Sequence, residues 1–187
     1  MNDQELRTQL EQLHPSSYAW ALNCAGRDQA LAEDVLQAVY LKVLQGKAVF
    51  VAGRSEFRTW LFGVIRMTAA GERRALFFRR LWLGKYTLWT ERSSATPDPG
   101  AGAGASEARR LCRAALSALA PRQRQVLHLV FYEDLTVQQA AEVLGVSVGT
   151  ARQHYERGKQ RLRELLKTLG ENHERPGERQ PSAPVVL

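Results

Sequence analysis

Cysteine is scarce in this chain of 187 residues: there are two, Cys24 and Cys112, far apart and outside any CxxC pair. That spacing argues against a disulfide framework and predicts two small buried side chains in a reducing compartment. The four histidines are scattered. No HExxH, P-loop or nucleophile-elbow motif is present, and no cluster has metal-ligand spacing. The expectation is a protein that is not an enzyme, with no cofactor, metal or small-molecule substrate. No run of about 18 apolar residues occurs, which excludes a membrane-spanning helix. The opening MNDQELRTQLEQLH is polar and amphipathic, unlike a signal peptide. These absences predict a cytoplasmic protein. Strand-like alternation and internal repeats are missing too, so the fold class expected is all-α.

Positive charge is plentiful. The net charge is +7 and the isoelectric point about 9.8, a balance that suits a polyanionic partner, either nucleic acid or an acidic membrane surface. The charge is unevenly placed. Residues 1–46 carry three basic and six acidic side chains, net −3. Residues 54–85 carry eight basic and two acidic, net +6, and residues 106–169 carry eleven and six, net +5. One acidic and two basic blocks predict two kinds of partner surface.

Helical periodicity fills most of the chain. Asn2 or Asp3 suits the cap of a first helix to about Leu13, broken by His14-Pro15. A second runs from about Ser16 to Ala25. Asp28 caps a third to about Gln45, with Leu31, Val35, Val39 and Val43 in one apolar line, widened by Leu36 and Tyr40. After the loop KAVFVAGR (47–54), Ser55 is the expected cap of a fourth helix to about Leu83, with Phe57, Leu61, Val64, Ile65 and Thr68 inward. Residues 84–105 include SSATPDPGAGAGA, the composition of a flexible linker. Ser106 opens a further helix with Leu111, Ala115, Leu116 and Leu119. Pro121 stands at the first position of the next, which carries Val126, Leu127, Val130 and Phe131. The expected organisation is two small helical domains, 1–83 and 106–169, joined by a flexible linker at 84–105, with a disordered tail at 170–187.

The stretch Thr136–Leu169 carries the clearest motif. Val137, Ala140, Ala141 and Leu144 lie on one face of a short helix. Thr136 with Gln139 makes a capping box. Gly145 suits a left-handed C-cap, and Ser147 suits the cap of a second helix. That second helix carries Val148, Ala151, Tyr155, Leu162, Leu165 and Leu169 on one side and Thr150, Arg152, Gln153, Arg157 and Lys159 on the other. A small-faced helix, a tight glycine turn and a longer basic helix make a helix-turn-helix. An ordinary helical hairpin with a solvated basic face would share parts of this pattern; cap, spacing, glycine and charge together favour DNA binding.

These segments together resemble bacterial RNA polymerase sigma factors of the sigma-70 family, in particular the extracytoplasmic-function (ECF) type. AEDVLQAVYLKVL (32–44) is similar to the core-binding helix of the family's second region, and FRTWLFGVIR (57–66) to its promoter-melting helix. Residues 116–166 resemble the fourth region almost end to end. The resemblance implies a factor that binds core RNA polymerase, at the clamp of the largest subunit and the flap region, and recognises promoter DNA at −10 and −35 elements. It also implies an anti-sigma factor as a partner. Residue by residue, it implies core polymerase binding by Asp34, Gln37 and Lys42. It implies −10 contacts by Val49, Phe50, Arg54, Ser55, Arg58, Arg66, Arg73 and Arg74, with Arg79 and Arg80 as further phosphate candidates. It implies −35 contacts by Arg122, Arg124, Ser147, Thr150, Arg152, Gln153, Arg157 and Lys159, with Arg161 beside them. Phe57 and Trp60 are expected in the core. Departures from the family pattern stand at Ala38, Met67, Gly71 and His154, which predicts an unusual promoter preference. The aromatic basic segment 74–89 is expected first to pack onto the second-region helices, and otherwise to meet an anti-sigma protein or a membrane surface. The competing function is a helix-turn-helix regulator acting without polymerase, which needs a dimerisation or effector module.

Overall fold

Local capping chemistry starts the helices where donors would otherwise go unmet. The Asn2 side chain accepts from Glu5 N at 2.7 Å while Glu5 Oε2 accepts from Asn2 N at 2.9 Å, a capping box that opens α1 (Asp3–Gln12). Leu13 alone separates it from α2 (His14–Cys24), which begins two residues earlier than expected. Pro15 lies in the first turn of α2, where a missing N–H costs nothing, so it redirects the chain rather than ending its helicity. Asp28 accepts from Leu31 N at 3.0 Å and starts α3 (Gln29–Leu44). The next helix, α4 (Phe57–Leu83), takes its first backbone bond from Trp60 N to Glu56 O. Glu56, not Ser55, therefore occupies the cap position.

Residues 2–83 and 103–173 are described by the structure, a computed structural model of the chain. The expectations for residues 84–102 and 174–187, the bulk of the linker and most of the tail, lie outside the described residues. Beyond the linker, α5 (Ala103–Ser117) begins three residues before Ser106. It is followed by α6 (Pro121–Phe131), α7 (Val137–Leu144) and α8 (Val148–His173). No strand occurs among the described residues, and none of their helices is long and apolar enough to cross a membrane.

Helices α2, α3 and α4 enclose a first core in which Trp20, Val35, Val39, Leu61, Phe62 and Ile65 are fully buried. Helices α5 to α8 enclose a second around Ala115, Leu127 and Ala151. Gly158 lets α6 and α8 close up, since a Cβ there would stand 3.1 Å from Leu127 Cδ1. The two cores do not stay apart. Helix α7 packs on α4 and α6 packs on α2. Val126, Leu129, Leu135, Ala140, Val143 and Leu144 are continuous with the first core.

That docking explains two departures from periodicity. Helix α6 buries Leu129 completely, while Phe131 is 59% exposed. A helix covered by α8 on one side and α2 on another buries two faces, so a single expected stripe misplaces its residues. Val148, expected inward, is 41% exposed. The buried line of α8 runs through Ala151 and Gly158, and Val148 lies to its side. Cys112 is exposed rather than buried; the inward side of α5 carries Leu111 and Ala115, and Leu111 is one residue away.

Candidate polymerase and nucleic-acid interfaces

The outer face of α3 is the first candidate surface. Asp34 and Gln37 are both exposed there, and Leu41 (56%) and Leu44 (44%) continue the same face. The spacing i, i+3, i+7, i+10 keeps all four within one arc of the helix. Leu41 and Leu44 escaped the sequence reading. The signal was present as two leucines off the Leu31–Val43 line, without any compensating buried partner. Lys42 behaves differently: its Nζ donates to Thr68 Oγ1 at 3.2 Å, bracing α3 against α4.

The loop before α4 divides its residues. Val49 (68%) and Val51 (55%) project outward, and Arg54 is exposed. Phe50 turns in. Its ring lies 5.3 Å from Phe57 and 5.5 Å from Trp60, and those two lie 5.4 Å apart, an aromatic cluster that anchors the loop. Phe57 is buried and Trp60 half-buried, as core residues. Ser55 is half-buried. On α4, Met67 is 70% exposed, and Phe77 and Phe78 are exposed with edge-to-face rings 5.9 Å apart. The two phenylalanines thus do not pack onto the neighbouring helices; Leu76 is the member of this segment that does. The aromatic residues at 86–89 lie outside the described residues.

The basic side chains of α4 are unequal. Arg74 Nε bonds its own helix at Ala70 O, 3.3 Å, and Arg79 is exposed. Arg73 Nη1 donates to Cys24 O at 3.3 Å, meeting the negative end of α2. Arg58 and Arg66 reach into the other module. Arg58 Nη2 pairs with Glu133 Oε2 at 2.5 Å. Arg66 Nη1 donates to Val143 O at 3.4 Å, beside the α7 C-cap.

Glu133 is the centre of this seam. It is 3% exposed, and His128 Nε2 stands 3.3 Å from its second oxygen. Burial pushes its carboxyl up, but the close approach of His128 and the hydrogen bond from Arg58 outweigh this and hold it below the ordinary carboxylate value. His128 in turn stacks on Trp20 at 5.5 Å, and Trp20 Nε1 donates to Phe62 O at 2.9 Å. Farther along, Gln139 Nε2 donates to Glu56 Oε2 at 3.0 Å. None of these partners was expected from sequence.

The helix-turn-helix forms as its residues predict. Thr136 and Gln139 complete their capping box. Gly145 adopts φ +58, the left-handed cap that a glycine reaches without a Cβ penalty. Ser147 Oγ accepts from Thr150 N at 3.1 Å and starts α8, so its hydroxyl is engaged in the cap. Exposed Gln153 lies opposite the buried Ala151 and Gly158, with exposed Arg157 and half-buried Thr150 to one side of it and exposed Arg152 to the other. Lys159 is drawn back: it pairs with Glu156 at 3.1 Å and lies 4.5 Å over the Tyr155 ring. Arg161 pairs with Glu164 at 3.2 Å. Arg122 and Arg124 stand at the start of α6, close to Cys24 at the seam. His154 is half-buried.

Comparison with known proteins bears on both modules. Residues 10–76 match the family model described as Sigma-70 region 2, and residues 115–164 match Sigma-70, region 4. The ECF RNA polymerase sigma factor SigL of Mycobacterium tuberculosis is 31% identical over 153 residues, 82% of this chain and 84% of that protein. RNA polymerase sigma factor CarQ of Myxococcus xanthus is 31% identical over 143 residues, 76% of this chain and 79% of that one. Among solved structures, sigma factor RpoE in complex with the anti-sigma factor NepR, from Bartonella quintana, aligns with a TM-score of 0.68 at 23% identity. It covers 87% of this chain and 97% of that one. CnrH in complex with the cytosolic domain of CnrY aligns with a TM-score of 0.57 at 23% identity, over 88% and 90% of the two chains. At these identities the two structures speak for the fold.

Proposed function

The chain belongs to the ECF sigma factors of the sigma-70 family, and from that membership we propose how its residues divide the work. It binds core RNA polymerase and directs promoter-specific initiation. Residues 1–83 form the unit for core polymerase and the −10 element, and residues 106–169 the unit for the −35 element. The observation that carries the reading is the joint presence, in one chain, of an exposed acidic α3 face and an exposed basic recognition helix α8. A regulator acting without polymerase has no use for the first. The work is binding and strand separation, without covalent chemistry by the protein, and it belongs in the cytoplasm, where core polymerase transcribes. In vitro transcription with purified core polymerase and a genomic promoter library tests this; no specific initiation from any promoter would reject it.

Asp34 and Gln37 are the polar contacts of the clamp-binding face, with Leu41 and Leu44 as its apolar part. Changing Asp34 and Gln37 together to alanine should reduce core polymerase binding in a pull-down while leaving promoter-fragment binding by residues 106–169 intact. Undiminished capture of core enzyme would remove the assignment.

For the −35 element, Arg152, Gln153, Arg157 and Thr150 are the base-reading set, because Arg suits guanine O6 and N7 and Gln suits adenine N6 and N7. Ser147 acts as the cap that aims them. Arg122, Arg124 and Lys159 supply phosphate contacts, which position without specifying. Arg152→Ala should cost about 1–3 kcal/mol against a matched promoter and less against a mismatched one. Equal losses on both in a binding titration count against base reading.

Val49, Arg54 and Ser55 in the loop, with Arg58, Arg66, Arg73 and Arg74 on α4, serve the −10 element; Phe50 shapes the loop from inside. Because Arg58 and Arg66 are occupied by the second module, the docked arrangement is a resting state, and −10 engagement requires the modules to part. An anti-sigma factor is the partner that controls that step. Relatives in fold are known in complexes of this kind.

A further inference from the structure

Five guanidiniums gather where the modules meet, and none pairs with a carboxylate among the described residues. Arg27 follows α2, Arg66 and Arg73 project from α4, and Arg122 and Arg124 stand in the first turn of α6. Two of them, from opposite modules, flank one small contact. Arg73 Nη1 donates to Cys24 O at 3.3 Å, and Arg122 Nη1 donates to Gln125 Oε1 at 3.5 Å. Between them Gln125 Nε2 donates to Cys24 Sγ at 3.9 Å. Arg66 crosses the same seam to Val143 O.

The cations act on one another. Burial lowers the affinity of Arg66 for its proton, and Arg122 adds to the effect. Burial does the same at Arg124, reinforced by Arg27 and Arg73. No acidic residue occupies the first turn of α6, where the helix's own partial charge is positive. Arg58, in the same seam, has Glu133; these five have no such counterpart. Closing the modules therefore crowds five cations and desolvates two of them, Arg66 and Arg124, without a protein counter-charge, which is costly. Guanidinium forks match the oxygens of a phosphate.

We propose that the seam between α2, α4 and α6 is a binding site for a small phosphorylated anion, which holds the modules together by neutralising Arg66, Arg73, Arg122 and Arg124. This rests on the docked arrangement as the resting state of the sigma factor. A DNA duplex is too wide for a seam across which Gln125 already touches Cys24. The anion is thus a regulator of opening, distinct from the promoter.

Cys24 provides the readout. It is 3% exposed and burial pushes its thiol up to about 12, against the opposing pull of nearby arginines. Since the thiolate is the nucleophile, it reacts only when the seam opens. In full-length protein carrying Cys112→Ser, maleimide labelling of Cys24 is followed at constant ionic strength as sodium chloride is exchanged for inorganic pyrophosphate. Binding to the closed form alone slows labelling about tenfold at a concentration about ten times the dissociation constant. Arg124→Gln should slow labelling without any pyrophosphate, because it relieves repulsion, and should lose most of the pyrophosphate response. Arg122→Gln, at an exposed position, repeats the test independently, with circular dichroism verifying that each variant is folded.

Equal rates in pyrophosphate and chloride overturn the proposal, as does rapid labelling in every buffer. Protection by short duplex DNA but not by pyrophosphate overturns it too, and assigns the cluster to nucleic acid. Failure of the sigma-factor reading shows separately, as an absence of promoter-specific initiation with core polymerase.

Discussion

Glu133→Ala should separate the two modules. The substitution leaves the Arg58 guanidinium without its carboxylate in a site where the pair was made at 2.5 Å. Removing one partner of a buried pair costs about 3–5 kcal/mol, and the lower end applies because 31% of the Arg58 side chain stays in water. That cost falls on the docked arrangement more than on either core. The radius of gyration from small-angle scattering should rise, and a single thermal transition should divide into two. Binding of a −10 promoter fragment should strengthen in the same variant, since Arg58 is released. An unchanged scattering profile with one cooperative melt would rule out Glu133 as the latch.

The same residue sets a pH dependence. Its carboxyl is held below the ordinary value of 4.5. A depressed carboxylate contributes stability that is complete above the unfolded value and is lost as pH falls through the folded one. The docked state should therefore loosen as pH drops below about 4.5, and Glu133→Ala should remove that acid-dependent step. Scattering across an acid titration distinguishes the two proteins.

Trp20→Ala should be the most damaging single change to stability. The side chain is fully buried, its indole N–H holds Phe62 O, and its ring stacks on His128 across the seam. Truncating a buried tryptophan costs about 3–5 kcal/mol. For a chain of this size that lowers the melting temperature by on the order of 10 °C. Trp20→Phe keeps most of the ring contact and loses the N–H bond, for about 1 kcal/mol. Because Trp20 and Glu133 both act through His128, the double alanine variant should lose less than the sum of the two singles. Denaturant titration of the four proteins measures this. Additive losses would mean that the stack and the ion pair work independently.

The all-α class and the helix-turn-helix were legible because their signals are local. Asn2 with Glu5, Asp28 with Leu31, and Thr136 with Gln139 each close a bond over three residues. Gly145 needs only its own backbone freedom. The exposed side of α8, with Gln153 and Arg157, follows from the 3.6-residue period once the helix start is known. The basic side chains of α4 were legible in composition but not in state. Nothing local distinguishes Arg58, which is paired, from Arg79, which is exposed. Phe50 and Val49 are adjacent in a loop, and only the position of Phe57 and Trp60 decides which one turns inward.

Which segments are helical, where the side-chain-capped ones α1, α3 and α7 begin, and which family of DNA-reading proteins they build can all be read from the chain before it folds. Those properties depend on interactions within about one turn of chain or on periodicity along one helix. That the two helical modules dock shows only once the chain is folded. The bonds that hold them, Arg58 to Glu133 and Gln125 to Cys24, join residues 75 and 101 positions apart. Pairings at that separation leave no periodic trace, because either side chain reads equally well as a solvated surface group until the other arrives.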